Sequence, residues 1–178
     1  MKKIIIVCGL ISGIILCIFM VASLAISDQN YESGMIYGYA AMILAFSLIY
    51  VGIRNFRDKY KEGLITFGKA FKIGLYITLI GSTMYVITWL IEYYFFIPDY
   101  MDKYADHMMK NINMNAMSRL QIDDQLKSIT SMKEMYKNPL FVILLTYAEV
   151  LPVGLAISVI SALMLKKNVR NKDLIVTT

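Results

Sequence analysis

Charged residues are scarce in this chain of 178 residues: they make up 17% of it, whereas hydrophobic residues make up 58%. Together with a mean hydropathy of +0.57, this balance lies outside the range of soluble domains and is typical of an integral membrane protein. Proline occurs three times and cysteine twice. These counts exclude a collagen-like fibre and a disulfide-stapled secreted module, because both cysteines also lie inside an apolar run.

The sequence also lacks the short motifs of common enzyme classes. It contains no P-loop, no H-E-x-x-H, no G-x-S-x-G and no C-x-x-C. Its single histidine, His107, has no neighbouring nucleophile with which to form a triad. No internal repeat indicates a transporter built from duplicated halves. We therefore expect a protein that is not an enzyme and that needs no cofactor.

Four apolar stretches are long enough to cross a bilayer, because a helix needs about 20 mostly apolar residues to span a hydrocarbon core of roughly 30 Å. They cover residues 4–26, 34–53, 73–97 and 140–165, and none contains Lys or Arg. Their polarity does not alternate, which excludes barrel strands. The sequence thus predicts an all-α fold, a single membrane domain over residues 1–178 that forms an integral membrane four-helix bundle.

The first stretch shares two features with a secretory signal peptide. Lys2 and Lys3 form a basic start, and Ser23-Leu24-Ala25 resembles a cleavage site. The apolar run over residues 4–26, however, is longer than the roughly 7 to 15 residues of the hydrophobic region of a typical signal peptide. We therefore expect this segment to be retained as a membrane anchor.

Basic residues are unevenly distributed among the segments outside the spans. Residues 54–72 contain six Lys and Arg, the segment after the fourth span contains four, and the connector between the first two spans contains none. Since cytoplasmic segments are enriched in basic residues, we expect a bacterial inner-membrane protein with cytoplasmic N- and C-termini and an external segment 98–139. Anionic headgroups then account for the net charge of +5. We expect no nucleic-acid partner, because no aromatic-interleaved basic groove is present.

The external segment 98–139 carries two apolar stripes at helical spacing. The stripes consist of Tyr100, Met101, Tyr104, Ala105, Met108, Met109 and Ile112, and of Ile122, Leu126, Ile129, Met132 and Tyr136. Ser118 and Gln121 form a capping box before the second stripe, and the asparagine-rich residues 111–117 separate the two. We expect an extracytoplasmic amphipathic helical hairpin between spans three and four. It lies either on the membrane surface or over the mouth of the bundle.

Seven of the 13 methionines lie in the same segment, beside the only histidine. Thioether and imidazole ligands suit Cu(I), so a metal site is conceivable here. Its candidate ligands are His107, Met108, Met109, Met114 and Met117. Methionine is also a common filler of apolar helix faces, and most of these residues fall on the stripes, so we favour packing over metal binding.

Small residues recur at intervals of four in three of the spans. The candidates for helix packing are Gly9, Gly13, Gly34, Gly38, Gly154 and Ser158. In lipid, such residues let helix backbones approach each other closely. We expect them to serve packing within the chain, and a homodimer through the face of Gly9 and Gly13 is the alternative that the sequence leaves open.

Two carboxylates, Glu92 and Glu149, lie within apolar stretches, where ionisable groups are costly enough to be functional candidates. Spans three and four are antiparallel, so the two side chains could meet and share a proton. Span three also carries a stripe that could line the bundle interior: Thr78, Ser82, Tyr85, Trp89 and Glu92. We favour a structural role, in which Glu92 reaches headgroups or Lys103 and Glu149 is a hydrogen-bonded neutral acid. A proton or cation relay and a partner contact remain open.

Several features together resemble a known family. They are the segment Gly63-Leu64-Ile65-Thr66-Phe67-Gly68-Lys69-Ala70-Phe71-Lys72-Ile73-Gly74 before span three, the proline that ends that span, and the methionine-rich external helices. With the order of the spans, they resemble domain of unknown function 4199, a family of small bacterial membrane proteins, over nearly the whole chain. The resemblance implies an inner-membrane protein without an assigned activity and carries over no site residues. From its alternating apolar and basic residues, segment 63–74 is predicted to form a short interfacial helix that turns into the membrane at Gly74.

These observations favour a non-enzymatic interaction, accessory or scaffold protein. Its expected partners are the lipid bilayer and another membrane protein, bound through the hairpin or a glycine face. The alternative is a small proton-coupled carrier that uses Glu92 and Glu149. A carrier requires a water-filled cavity that reaches both carboxylates, whereas an interaction module can be packed solid.

Overall fold

A computed structural model describes residues 1–26, 31–60, 62–112 and 118–167 of the chain. The α-helices in these ranges are α1 (Lys2–Ile26), α2 (Tyr31–Tyr60), α3 (Phe67–Ile91), α4 (Tyr100–Lys110), α5 (Arg119–Met135) and α6 (Pro139–Leu165). A π-helical turn, Glu92–Phe96, directly follows α3. No strand occurs in the described ranges beyond a single bridge between two residues. The predicted all-α fold is confirmed.

Four segments of the described chain are long and apolar enough to cross a membrane: Lys2–Ser23, Gly34–Tyr60, Phe67–Phe96 and Pro139–Leu165. They coincide with the four predicted spans, and the third begins earlier than predicted. These helices are apolar on nearly all sides, as is typical of membrane spans. The outward-facing side chains, such as Ile18 and Leu163, are accordingly exposed and apolar.

The described chain forms two compact units. The second unit spans Trp89–Thr146 and contains the π-helical turn, α4 and α5. The first unit is built from the residues on either side of it, so α3 and α6 each contribute to both.

In the first unit, α1, α2, α3 and α6 enclose an apolar core. Each contributes a fully buried side chain: Leu16, Phe46, Ile77 and Val150 respectively. The hydroxyl of Ser12 donates a hydrogen bond to the carbonyl of Ala45 over 2.9 Å and so links α1 to α2. A polar group buried in this way is stabilised because its hydrogen bond is satisfied.

Two glycines of α1 allow this helix to lie close against α3. A Cβ atom built on Gly9 would lie 2.8 Å from the Cβ of Ile80, and one on Gly13 would overlap Met84. Both contacts are between α1 and α3 of the same chain. A homodimer through this face of α1 would therefore have to displace α3.

The contact between α6 and α3 combines a glycine with hydroxyl groups. Gly154 lies against Thr78, whose Oγ1 and Cβ atoms are 2.9 and 3.1 Å from the position of a built Cβ. Ser158 donates a hydrogen bond to the carbonyl of Gly154 over 2.8 Å. The Ser158 hydroxyl proton is then engaged, so Thr78 donates to Ser158 Oγ over 3.2 Å. Close backbones and interhelical hydrogen bonds are the two means by which helices associate in lipid. By contrast, no atom of the described residues lies within 4 Å of a Cβ built on Gly34 or Gly38, so these two glycines make no close contact with the described helices.

The predicted interfacial helix over residues 63–74 is wrong. Gly63 has a φ of +80° in the turn after α2, and Ile65 forms an antiparallel bridge with Lys167 through backbone bonds of 3.1 and 3.0 Å. Helix α3 begins at Phe67 and continues through Gly74 without a break. The glycine serves close packing and not a turn, since a Cβ there would lie 2.7 Å from Ser158 Oγ.

In the second unit, α4 and α5 form the predicted helical hairpin. The capping box is confirmed: Gln121 N donates to Ser118 Oγ over 3.4 Å, and Ser118 N donates to Gln121 Oε1 over 2.9 Å. Helix α4 ends at Lys110 and α5 begins at Arg119, which agrees with the predicted break, although residues 113–117 of that break lie outside the described ranges.

Candidate functional site

The π-helical turn places Glu92 at the end of α3. Ile97 N donates to the carbonyl of Glu92 over 2.9 Å, a bond that encloses one more residue than an α-helical bond. Pro98 follows, and a residue before proline is driven out of helical geometry. Ile97 accordingly has an extended φ of −134°. π-Helical turns are rare and occur frequently at functional sites. The position of Glu92 in this turn therefore strengthens its candidacy as a functional residue.

Glu92 is buried, with 3% of its surface exposed. Neither of its carboxylate oxygens has a hydrogen-bond partner in the structure described. Lys103, the loop lysine considered as its partner, instead pairs with Asp99 over 2.8 Å, so the expected contact of Glu92 with Lys103 is not formed. A buried polar group without a partner is costly, and this cost is the main reason to regard Glu92 as functional.

Glu149 lies in a different environment on α6. Its side chain is exposed, with the exposed Leu144 and Leu145 in the preceding turn. The two carboxylates thus differ in burial, and their joint action as a proton-sharing pair stays a prediction.

The polar stripe of the third span is buried or partly buried. Thr78 and Ser82 are fully buried, and Tyr85 and Trp89 are partly buried. Ser82 Oγ, like the carboxylate of Glu92, has no hydrogen-bond partner in the described chain. Two buried polar side chains of the third span are therefore without partners among the described residues: Ser82 on α3 and Glu92 in the π-helical turn.

Aromatic rings surround the start of the hairpin in the second unit. Tyr93 is buried, and its ring lies 6.5 Å from that of Tyr100, which in turn meets Trp89 edge to face at 5.1 Å. Tyr136 approaches Tyr93 at 5.7 Å between ring centroids. Edge-to-face and tilted pairs of this kind stabilise a core beyond the area they bury, so the turn after α3 is held in a packed aromatic cluster.

The structure describes three of the five candidate metal ligands. The ring Nε2 of His107 is hydrogen-bonded to Asn111 Nδ2 over 2.9 Å, and Met108 and Met109 are both exposed. Met114 and Met117 lie outside the described ranges. Within those ranges, no group of three His, Cys, Asp or Glu side chains is placed to hold a metal ion.

The structure instead brings Met108 together with two other methionines. Met101 and Met108 from α4 and Met132 from α5 line one cavity. Met101 and Met132 belong to the two apolar stripes of the hairpin sequence and are not among the metal ligands predicted from it. The seven-residue spacing of Met101 and Met108 puts them on one helix face, but nothing in the sequence shows which residue of α5 faces them.

Ion pairs hold the hairpin at its surface. Asp102 of α4 pairs with Lys133 of α5, and Lys137 pairs with Glu134 over 2.7 Å. The hydrogen bond and charge of Asp102 raise the pKa of Lys133, and those of Lys103 lower the pKa of Asp99. All of these side chains are substantially exposed, so each pair contributes little to stability.

Comparison with known proteins gives one family. The family model described as protein of unknown function, DUF4199, matches residues 7–167. No curated protein and no solved structure matches the chain.

Proposed function

We propose a function from the premise that this chain belongs to the DUF4199 family of proteins of unknown function, whose model covers most of its length. The protein is a multi-pass bacterial inner-membrane protein that binds another membrane protein and is not an enzyme. It acts as an accessory or scaffold protein, and its binding surface is the α4–α5 hairpin.

The observation that carries this proposal is the exposure of α5. Helix α5 has an apolar stripe, yet none of its residues is buried. Leu126 on the stripe is exposed, and Ile122, Ile129 and Met132 are only partly covered. Helix α4, by contrast, buries Met101 and Ala105. An amphipathic helix with an uncovered apolar face is the form in which helices dock into grooves of partner proteins.

The distribution of charge supports the orientation in this proposal. The segment between spans two and three and the residues after span four are rich in Lys and Arg, as is typical of cytoplasmic segments. The hairpin then lies outside the cytoplasm, where its stripe is accessible to periplasmic regions of membrane proteins.

Site-specific photocrosslinking in the native membrane tests the docking surface. A benzophenone amino acid replaces Leu126 on the stripe or, as the matched control, Ser131 on the opposite face of the same helix. We expect position 126 to capture one protein of defined mass and position 131 to capture none, and native mass spectrometry of the extracted protein to show the same hetero-complex. Adducts with lipid alone at position 126, or equal adducts at both positions, would contradict the proposal.

A second candidate function rests on Glu92. A carboxylate that is buried without a hydrogen-bond partner fits the proton-binding group of a small proton-coupled carrier, in which Glu149 would be the second carboxylate. Proton flux into liposomes would be compared among wild type, Glu92→Gln, Glu149→Gln and, as control, Glu134→Gln at an exposed position of α5. A flux that Glu92→Gln abolishes and Glu134→Gln leaves unchanged would favour the carrier. Equal flux in all four proteins would eliminate it.

A further inference from the structure

One cavity of the second unit is lined by three thioethers. It lies between α4 and α5 and has a volume of about 70 Å³. Its walls are Met101, Tyr104, Met108, Ser128, Ile129 and Met132. A single water molecule needs roughly 10 to 15 Å³ of such space, so the cavity is sufficient for a single ion.

The hairpin holds these sulfur-bearing side chains on facing elements. Met101 and Met108 lie two turns apart on one face of α4, and Met132 projects from α5. The ion pair between Asp102 and Lys133 joins the two helices one residue beyond Met101 and one beyond Met132. The pair therefore lies at the level where Met101 and Met132 line the cavity.

The chemistry of the lining selects one class of ligand. Thioethers are soft, uncharged donors that suit Cu(I) and related ions, whereas Mg²⁺ and Ca²⁺ require several oxygen ligands and Zn²⁺ prefers thiolate and imidazole. Among the described residues, no carboxylate, thiolate or imidazole lines this cavity. His107, the one imidazole of the chain, is bonded to Asn111 and is not among the lining residues.

We propose that this cavity is a binding site for one soft monovalent metal ion, Cu(I) or its analogue Ag(I), held by the thioethers of Met101, Met108 and Met132. The site goes beyond the proposed partner interaction, and Ile129 and Met132 belong both to the cavity lining and to the α5 stripe. It differs from the ligand set that the sequence suggested, because it uses Met101 and Met132 from the facing stripes and not His107 or Met109.

The test titrates the full-length protein in detergent with Ag(I) in chloride-free buffer, followed by native mass spectrometry, and with Cu(I) in competition with a chelator. We expect one ion per chain, and a loss of affinity of about tenfold or more in Met101→Leu/Met132→Leu. Leucine replaces methionine at similar volume and polarity, so the variant removes sulfur while keeping the packing. Met135→Leu, an exposed position of α5 outside the cavity, is the matched control and should bind as wild type does.

The dependence of affinity on pH separates a thioether site from a histidine site. A thioether does not titrate, so Ag(I) affinity should be constant from about pH 5.5 to about pH 8. An imidazole ligand would lose affinity as it protonates near pH 6.5. His107→Ala should therefore bind as tightly as wild type. The proposal would be overturned if Met101→Leu/Met132→Leu bound Ag(I) with unchanged affinity, or if His107→Ala lost binding. Both results count when the ion-free variants unfold at the wild-type temperature. Should the double variant unfold earlier, the single variants Met108→Leu and Met132→Leu decide in its place by the same criterion.

Discussion

At Gly154, the backbone of α6 lies so close to Thr78 that a side chain would not fit between them. Thr78 cannot move aside easily, because its β-branched side chain has restricted rotamers and its hydroxyl is bonded to Ser158. Gly38 lies in a span as well, but a Cβ there would meet no atom within 4 Å. The two glycines therefore have the same local conformation and opposite packing requirements.

We predict that Gly154→Ala lowers the free energy of unfolding and that Gly38→Ala does not. Over-packing at a close contact costs about 1 to 3 kcal/mol, whereas alanine gains about 1 kcal/mol of helix propensity over glycine. The net change at Gly154 should be a loss of about 1 kcal/mol, and Gly38→Ala should be neutral or stabilising. Unfolding of the detergent-solubilised protein in a denaturant series measures both. Equal stability of the two variants would mean that α6 and α3 are not in close contact there.

At the scale of the element, the start of α5 depends on its capping box. We predict that Ser118→Ala destabilises the first turn of α5 by about 0.5 to 2 kcal/mol, because the amide of Gln121 loses its acceptor. Amide hydrogen exchange should then be about 2- to 30-fold faster at Ile122 and its neighbours. Ser131→Ala, in the middle of the same helix, is the control and should leave that exchange unchanged. Fast exchange in the wild-type first turn would show that the cap is not formed in solution.

The elements differ in how far their sequence determines them. The four spans follow from apolar length alone, and the start of α5 follows from Ser118 and Gln121, because both signals are local. The π-helical turn was not predicted, since it has no periodicity of its own and depends on how α3 ends before Pro98. The expected turn at Gly74 was wrong because the role of that glycine depends on Ser158, 84 positions along the chain.

The candidate site residues also differ in how far the sequence alone identifies them. Glu92 was identifiable because a carboxylate in an apolar span is conspicuous in any arrangement of the helices. Its lack of a hydrogen-bond partner was not identifiable, since Lys103 was available in the sequence and pairs with Asp99 instead. The convergence of Met101 and Met132 depends on the pairing of α4 with α5, which the spacing of either stripe leaves undetermined.

For the whole molecule, the proposed orientation predicts which positions a membrane-impermeant maleimide reaches. Lys127→Cys on α5 should be labelled in intact cells, whereas Lys59→Cys at the end of α2 should be labelled only after lysis, because basic segments remain in the cytoplasm. Both native side chains are exposed, so neither result reflects burial. The native Cys8 and Cys17 lie in the apolar α1 and provide the background. Labelling of Lys59→Cys in intact cells would reverse the orientation.

The contact of Gly154 with Thr78 and Ser158 also determines how the spans respond to temperature. Lipid chains are as apolar as the side chains of α3 and α6, so these helices are held together by close packing and hydrogen bonds and not by removal of apolar surface from water. Hydrophobic stabilisation weakens on cooling. Dispersion contacts and hydrogen bonds between the two helices do not depend on hydrophobic stabilisation. We therefore expect the contact between α3 and α6 to persist at low temperature.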